Sequence, residues 1–216
     1  MSDFAAARRH MVDGQLRTTD VTDLRILTAM DEVARDQFLP PALAGTAYFD
    51  INIPLGVGAR TLLKPMLLAK LIQAAELTGT DRVLDVGCAT GYGTAVLARI
   101  AGQVVALEQD PALVQSATTA LAGEAKVSVV SGPLVEGWAS GAPYDAIVVE
   151  GTIEVAPTAL LQQLANGGRL VCVQGVGPGA KAMVYRRSGE DIGERAVFDA
   201  SAGVLPGFEK PLEFAF

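Results

Sequence analysis

The chain has 216 residues, with 17 lysines and arginines against 24 aspartates and glutamates, for a formal net charge of −7. That charge repels phosphate backbones and anionic lipid, so neither nucleic acid nor a membrane is expected as partner. Half of the residues are hydrophobic and only 19% are charged, which excludes general disorder. The length suits one large domain. Two cysteines, Cys88 and Cys172, with the single His10 make neither a disulfide framework nor a zinc site, so no metal is expected.

The first forty residues read as a covering helix. Asp20 is the expected cap, Val21, Leu24, Leu27, Met30 and Val33 recur at helical spacing, and Pro40-Pro41 ends the run. Arg8-Arg9 is followed by His10, Asp13, Gly14, Gln15 and Arg17 rather than by an apolar stretch, so it is not read as a signal peptide and the chain is expected to be cytoplasmic. Residues 41–65 carry Gly45, Pro54, Gly56, Gly58 and Pro65 and read as loops with one short strand over 49–53. Long loops in a compact domain are often functional. Leu67, Leu68, Leu71, Ile72 and Ala75 then form one helical face, and the apolar run is broken by Lys70, Gln73 and Glu76 well short of the ~20 residues a membrane helix needs.

From Arg82 strands and helices alternate. Strands are expected at 82–86, 104–108, 127–131, 146–149 and 169–173, and helices at 94–100, 111–121 and 157–164. Apolar runs without period-2 alternation, joined by helical crossovers, predict a doubly wound α/β fold whose mostly parallel sheet is covered on both faces. Later runs at 183–185, 196–198 and 212–216 are expected to close one edge as partly antiparallel strands.

The run Val83-Leu84-Asp85-Val86-Gly87-Cys88-Ala89-Thr90-Gly91-Tyr92 is a strand feeding a glycine-rich turn that opens a helix. In such a sheet this turn lies at the carboxyl ends of the strands, where ligands bind. Gly87 and Gly91 let the backbone approach a ligand, and the helix start offers free N–H groups. Glu108 ends the next strand 23 residues after Asp85, close to the ~20 expected of a carboxylate that accepts both ribose hydroxyls. Positions 87, 89 and 92 read Gly, Ala and Tyr instead of three glycines, which disfavours a dinucleotide. The negative charge of Asp85 suits the amino group and sulfonium of S-adenosyl-L-methionine better than a pyrophosphate. The blander reading is a tight turn and a solvated strand end.

The sequence resembles the protein-L-isoaspartate O-methyltransferase family. The resemblance rests on Asp23-x-Arg25-Ile26-Leu27-x-Ala29-Met30, Val33, Arg35 and Phe38-Leu39-Pro40. It continues in Ala47-Tyr48-x-Asp50, Pro54-Leu55-Gly56-x-Gly58, Thr61 and Pro65, then the cofactor turn and Pro143-Tyr144-Asp145-Ala146-Ile147. It implies a Rossmann-like S-adenosyl-L-methionine-dependent methyltransferase that esterifies the carboxylate of L-isoaspartyl residues in damaged proteins, a repair reaction on a protein or peptide substrate. One unit spans 1–216, with 1–65 as helical extension and substrate loop and 66–216 as the cofactor-binding sheet, and a monomer is expected. The cofactor-binding set is then Asp85, Gly87, Cys88, Ala89, Gly91 and Tyr92 from the turn, Glu108 and Gln109, and Gly132, Pro133 and Leu134.

Three departures from the family pattern bear on chemistry. Its Thr-Ile-Ser-x-Pro element over the reacting groups reads Thr61-Leu62-Leu63-Lys64-Pro65, which makes Thr61 and the hydroxyl-lacking Leu63 the catalytic candidates of this loop. Arg60 and Lys64 flank it, either as attractors of a carboxylate or as solvated loop charges. An acid that accepts from adenine is replaced in Gly132-Pro133-Leu134. Glu150 is the third departure, open to three roles: base for another acceptor, cofactor contact, or cap of the following helix. Divergent activity on another protein or a small molecule, or cofactor binding without isoaspartyl activity, are the alternatives. Cys88 is expected to pack beside the cofactor, and Ala89 to stand mildly where glycine is common.

Overall fold

Five apolar runs become the parallel centre of one sheet in a computed structural model that describes residues 3–211. The elements are α1 (Phe4–Met11), α2 (Leu24–Glu32), β1 (Ile53–Pro54), β2 (Thr61–Leu62), α3 (Pro65–Ala74), β3 (Arg82–Val86), α4 (Tyr92–Ile100), β4 (Gln103–Glu108) and α5 (Pro111–Ala120). They continue with β5 (Val127–Ser131), β6 (Tyr144–Ile153), α6 (Thr158–Gln162), β7 (Leu164–Gln174), β8 (Lys181–Ser188) and β9 (Asp191–Asp199). Strand order is β5-β4-β3-β6-β7-β8-β9, with β1 and β2 as a separate antiparallel pair. The strands β3 to β7 run parallel, and β8 and β9 add antiparallel at one edge. The chain winds outward from β3 through β4 to β5, then crosses back to β6, so the winding reverses between β3 and β6. Such a reversal opens a crevice at the carboxyl ends of the strands.

Alternation along the strands decides which face each acid meets. Val83, Val104, Ala106, Ala146 and Val148 pack under the N-terminal helices, α3 and α4, whereas Leu84, Val105, Leu107, Ile147 and Val149 face the other layer with Leu160 of α6 and Phe208. Asp85, Glu108 and Glu150 therefore all fall on the α4 side, at or near their strands' carboxyl ends.

Several expected boundaries move. Asp23, not Asp20, caps α2: its carboxylate accepts from Arg25 N at 2.8 Å, while Asp20 takes a left-handed conformation with φ 67°. Gln73 of α3 holds this turn, accepting from the Thr22 and Asp23 amides and donating to Asp20 O. The helix stops at Glu32, and a 3-10 turn over Arg35–Phe38 carries the chain to Pro40. A further helix, α1, precedes it. The strand expected over 49–53 is reduced to Ile53–Pro54, because its partner Thr61–Leu62 is only two residues long and Phe49 and Ile51 are exposed. The run at 212–216 lies outside the described residues. None of the helices described is long and apolar enough to cross a membrane.

Candidate functional site

Gly87 ends β3 with φ 77°, and its amide and that of Cys88 donate to Leu107 O on β4, at 2.9 and 3.2 Å. The turn is thereby pinned beside the carboxyl end of β4, where Glu108 sits. Glu108 is fully buried, and both of its oxygens are engaged. Oε1 accepts from the Gln109 and Asp110 amides at 2.9 and 3.3 Å, and Oε2 accepts from the Ala89 amide at 2.9 Å and from the Arg60 guanidinium. Arg60 also donates to Gly87 O at 3.0 Å and is 4% exposed, so it is no solvated loop charge.

A second wall comes from the segment after β9. Thr152 N donates to Gly203 O and Leu205 N donates back to Thr152 O, both at 2.9 Å, which lays residues 203–205 beside β6. A Cβ on Gly87 would meet the Arg60 guanidinium at 3.1 Å and the Leu205 side chain at 3.2 Å. The cradle above Gly87 is therefore lined by the backbone turn, Glu108, Arg60 and Leu205.

Behind the turn lies a buried polar cluster. Asp85 is wholly buried and accepts from Thr94 Oγ1 at 2.5 Å. Glu150 lies in the carboxyl-terminal half of β6 and is 3% exposed, with its carboxyl filling the space that Gly93 leaves. Desolvation pushes the Asp85 carboxyl up to about 7, and the same cause together with the Asp85 charge holds Glu150 well above the usual carboxylate range. Asp85 Oδ1 and Glu150 Oε1 have no hydrogen-bond partner among the described residues, and after burial the Asp85 charge is the next cause that favours a proton on Glu150. This corrects two expectations. Asp85 does not present a full, exposed negative charge to a ligand. Glu150 is neither a cap, since α6 begins after Pro157, nor an accessible base.

The remaining expected residues divide between crevice and core. Gly87, Ala89, Glu108 and Gln109 meet at the crevice. Gly132 N donates to Glu108 O at 3.1 Å, and Gln109 Oε1 accepts from Leu134 N at 3.3 Å, so the ends of β4 and β5 are tied together. Pro133 is exposed there, and Leu134 is buried in the second layer. Gly91, with φ 96°, starts α4. Cys88 is buried, and burial followed by the Asp85 charge pushes its thiol well above its ordinary value, which makes it inert packing. Tyr92 is a core residue: its ring lies 4.7 Å from the Arg35 guanidinium, and burial pushes its hydroxyl up to about 12. Thr61 lies on β2, partly buried and paired with Pro54. The Leu63 side chain turns into the core at 1% exposure, while its carbonyl accepts from Arg35 at 2.7 Å.

Sequence reasoning gave no site role to two contributors and left a third open. Arg35 is fully buried and joins Ala47 O to Leu63 O, fixing the loop to the helical layer. Leu205 had no local signal, because its contacts are tertiary. Arg60 was left open between attracting a carboxylate and standing as a solvated charge, and it binds a carboxylate of the chain itself, Glu108.

Residues 6–197 match the family described as protein-L-isoaspartate(D-aspartate) O-methyltransferase. A protein of Rhodopseudomonas palustris (strain HaA2) named protein-L-isoaspartate O-methyltransferase 1 is 42% identical over 195 residues, covering 88% of this chain and 79% of its own length. A protein of Methylorubrum extorquens (strain PA1) named protein-L-isoaspartate O-methyltransferase is 42% identical over 190 residues, 88% and 83% of the two chains. Among solved structures, one named protein-L-isoaspartate O-methyltransferase superposes with TM-score 0.79 at 24% identity, over 92% of this chain and 66% of that one. A Plasmodium falciparum structure, provisionally assigned to the same activity and in complex with S-adenosyl-L-homocysteine, gives TM-score 0.76 at 18% identity, over 92% and 97%. At these identities the structural likeness is one of fold.

Proposed function

Because the chain belongs to the protein-L-isoaspartate O-methyltransferase family, we propose that it methylates the side-chain carboxylate of L-isoaspartyl residues, using S-adenosyl-L-methionine. The observation that carries this reading is Glu108, set at the end of β4 beside the Gly87 turn, which follows β3, the strand that borders the reversal of the sheet's winding. The residues fit such a donor: Glu108 for the ribose hydroxyls, the space over Gly87 that Arg60 and Leu205 now line for close approach, and Gln109 with Gly132 and Pro133 along the nucleoside. The cradle that a Cβ on Gly87 would fill already takes a cation, the Arg60 guanidinium, and a sulfonium is also cationic.

When bound, the donor supplies an electrophilic methyl, to which a carboxylate oxygen adds as the carbon–sulfur bond breaks. The chain's share is placement and dryness. A carboxylate of pKa ~4 is already ionised at neutral pH, so no general base is needed, and in-line positioning with exclusion of water supplies the rate. Leu205 and the β1–β2 hairpin wall the crevice, and Thr61 stands on the acceptor side. Burial of Glu150 removes the base that a divergent acceptor would call for. The acceptor is a protein or peptide; a cytoplasmic setting accords with the two unpaired, buried cysteines. Incubation with labelled donor and an isoaspartyl peptide should yield a base-labile methyl ester, and the normal-aspartyl twin should stay unlabelled. Labelling of both peptides equally, or of neither, would refute the assignment.

A further inference from the structure

The pairing of Arg60 with Glu108 is hard to reconcile with a passive crevice. Glu108 is the carboxylate assigned above to the donor's ribose, yet the chain's own guanidinium is bonded to it and to Gly87 O, both partners buried. Arg60 Nε has no partner among the described residues, so the arginine is incompletely satisfied where it lies. It is carried by a hairpin whose strands are two residues each, and the turn between them includes Gly56 and Gly58, both at positive φ with nothing within 4 Å of a built Cβ. The side chain can therefore leave without disturbing the main sheet.

We propose that Arg60 is a latch between the two substrates: it neutralises Glu108 until the donor's ribose takes that carboxylate, and then turns to the acceptor's carboxylate. The inference rests on the donor reading above. Its physical basis is that a guanidinium displaced from its partner in a buried place must find another anion or return to water. The acceptor brings the anion, and Arg60 is followed directly by Thr61, the residue assigned above to the acceptor. Toward Glu108 the guanidinium makes a single-nitrogen contact that it shares with Gly87 O, whereas toward a free acceptor carboxylate its planar fork allows two-point contact. Donor and acceptor then assist each other's binding, since each relieves a charge that the other leaves unpaired.

The test is calorimetric titration of the full chain with S-adenosyl-L-homocysteine, alone and with an isoaspartyl peptide, for wild type, Arg60→Gln and Arg60→Lys. Arg60→Gln should remain folded by circular dichroism, because Glu108 keeps three backbone N–H partners. It should bind S-adenosyl-L-homocysteine roughly tenfold tighter than wild type, one charge-assisted hydrogen bond's worth of competition being removed. In wild type the isoaspartyl peptide should tighten that binding and the aspartyl twin should not; in Arg60→Gln the coupling should vanish, with the peptide KM raised. Arg60→Lys, charged but without the fork, should fall between. Equal affinity of wild type and Arg60→Gln, or coupling that survives the substitution, overturns the latch and leaves the donor reading standing. Absence of binding in wild type and in both variants overturns the donor reading and the latch together.

Discussion

Gly93 leaves the space in which the Glu150 carboxyl lies: a Cβ built on Gly93 would overlap Glu150 Oε1. The two residues come from different elements, α4 and β6, and neither tolerates enlargement of the other. Gly93→Ala should cost about 1–3 kcal/mol by overpacking. Combined with Glu150→Ala, which vacates the space, the loss should be smaller than the sum of the singles by at least ~0.5 kcal/mol. Urea unfolding of the four proteins checks it, and strict additivity would mean the carboxyl is placed elsewhere.

The buried pair of Asp85 and Glu150 gives stability a definite pH slope. Both carboxyls have folded pKa values above their ordinary ones, Asp85 rising from 3.8 to about 7. The folded state then holds protons that the unfolded state releases, so the pair's contribution is favourable below pH ~4 and is lost as pH rises toward 7 and beyond. The slope approaches about 1.4 kcal/mol per pH unit per group at most. Glu150→Gln should flatten the wild-type decline between pH 5 and pH 8, about one proton's worth, in denaturant titrations. Parallel curves for the two proteins would contradict the pairing.

Ala89 takes φ 53°, a left-handed conformation, in the cofactor turn. The strain of a Cβ there is about 1–2 kcal/mol, against about 0.4–1 kcal/mol that glycine adds to the unfolded chain's entropy. Strain wins, so Ala89→Gly should raise stability by roughly 0.5–1 kcal/mol. A lower melting temperature in the variant would contradict the backbone placement.

Leu63, a catalytic candidate by its place in the Thr61–Pro65 run, has its side chain in the core. Leu63→Ser removes buried apolar volume and introduces a hydroxyl, so it should destabilise by about 2–4 kcal/mol. Turnover per folded molecule should not rise, because the side chain does not reach the crevice. Chemical denaturation and an assay corrected for folded fraction check both halves; increased specific activity would show that the loop rearranges on binding.

The sheet was legible because its strands are apolar runs punctuated by Gly, Pro and Asp, and the carboxyl-end crevice followed from βα alternation alone. The placement of Gly87 just after β3 and of Glu108 at the end of β4 was legible from the strand pattern. What was not legible depends on three dimensions. The sign of alternation puts Glu150 beside Asp85, and no local pattern states that two acids 65 positions apart share a face. Asp20 and Asp23 are equally good caps by type, and Gln73, about fifty residues on, fixes the turn between them. Arg60 next to Thr61 looks like a loop charge until the partner at position 108 is known.

The strip at 200–205 closes the crevice through contacts that are remote along the chain: Asn52 to Ser201 spans 149 positions, and Thr152 to Ala202 spans 50. Loop closure over such separations is entropically expensive and contributes little until both ends are already in place. Folding should therefore complete the β3–β4–β6 platform before the strip docks, and an ensemble with a finished sheet and an open crevice should precede the native state. Ligand capture during refolding would then report the last event in the folding sequence, later than the return of sheet signal in the far ultraviolet.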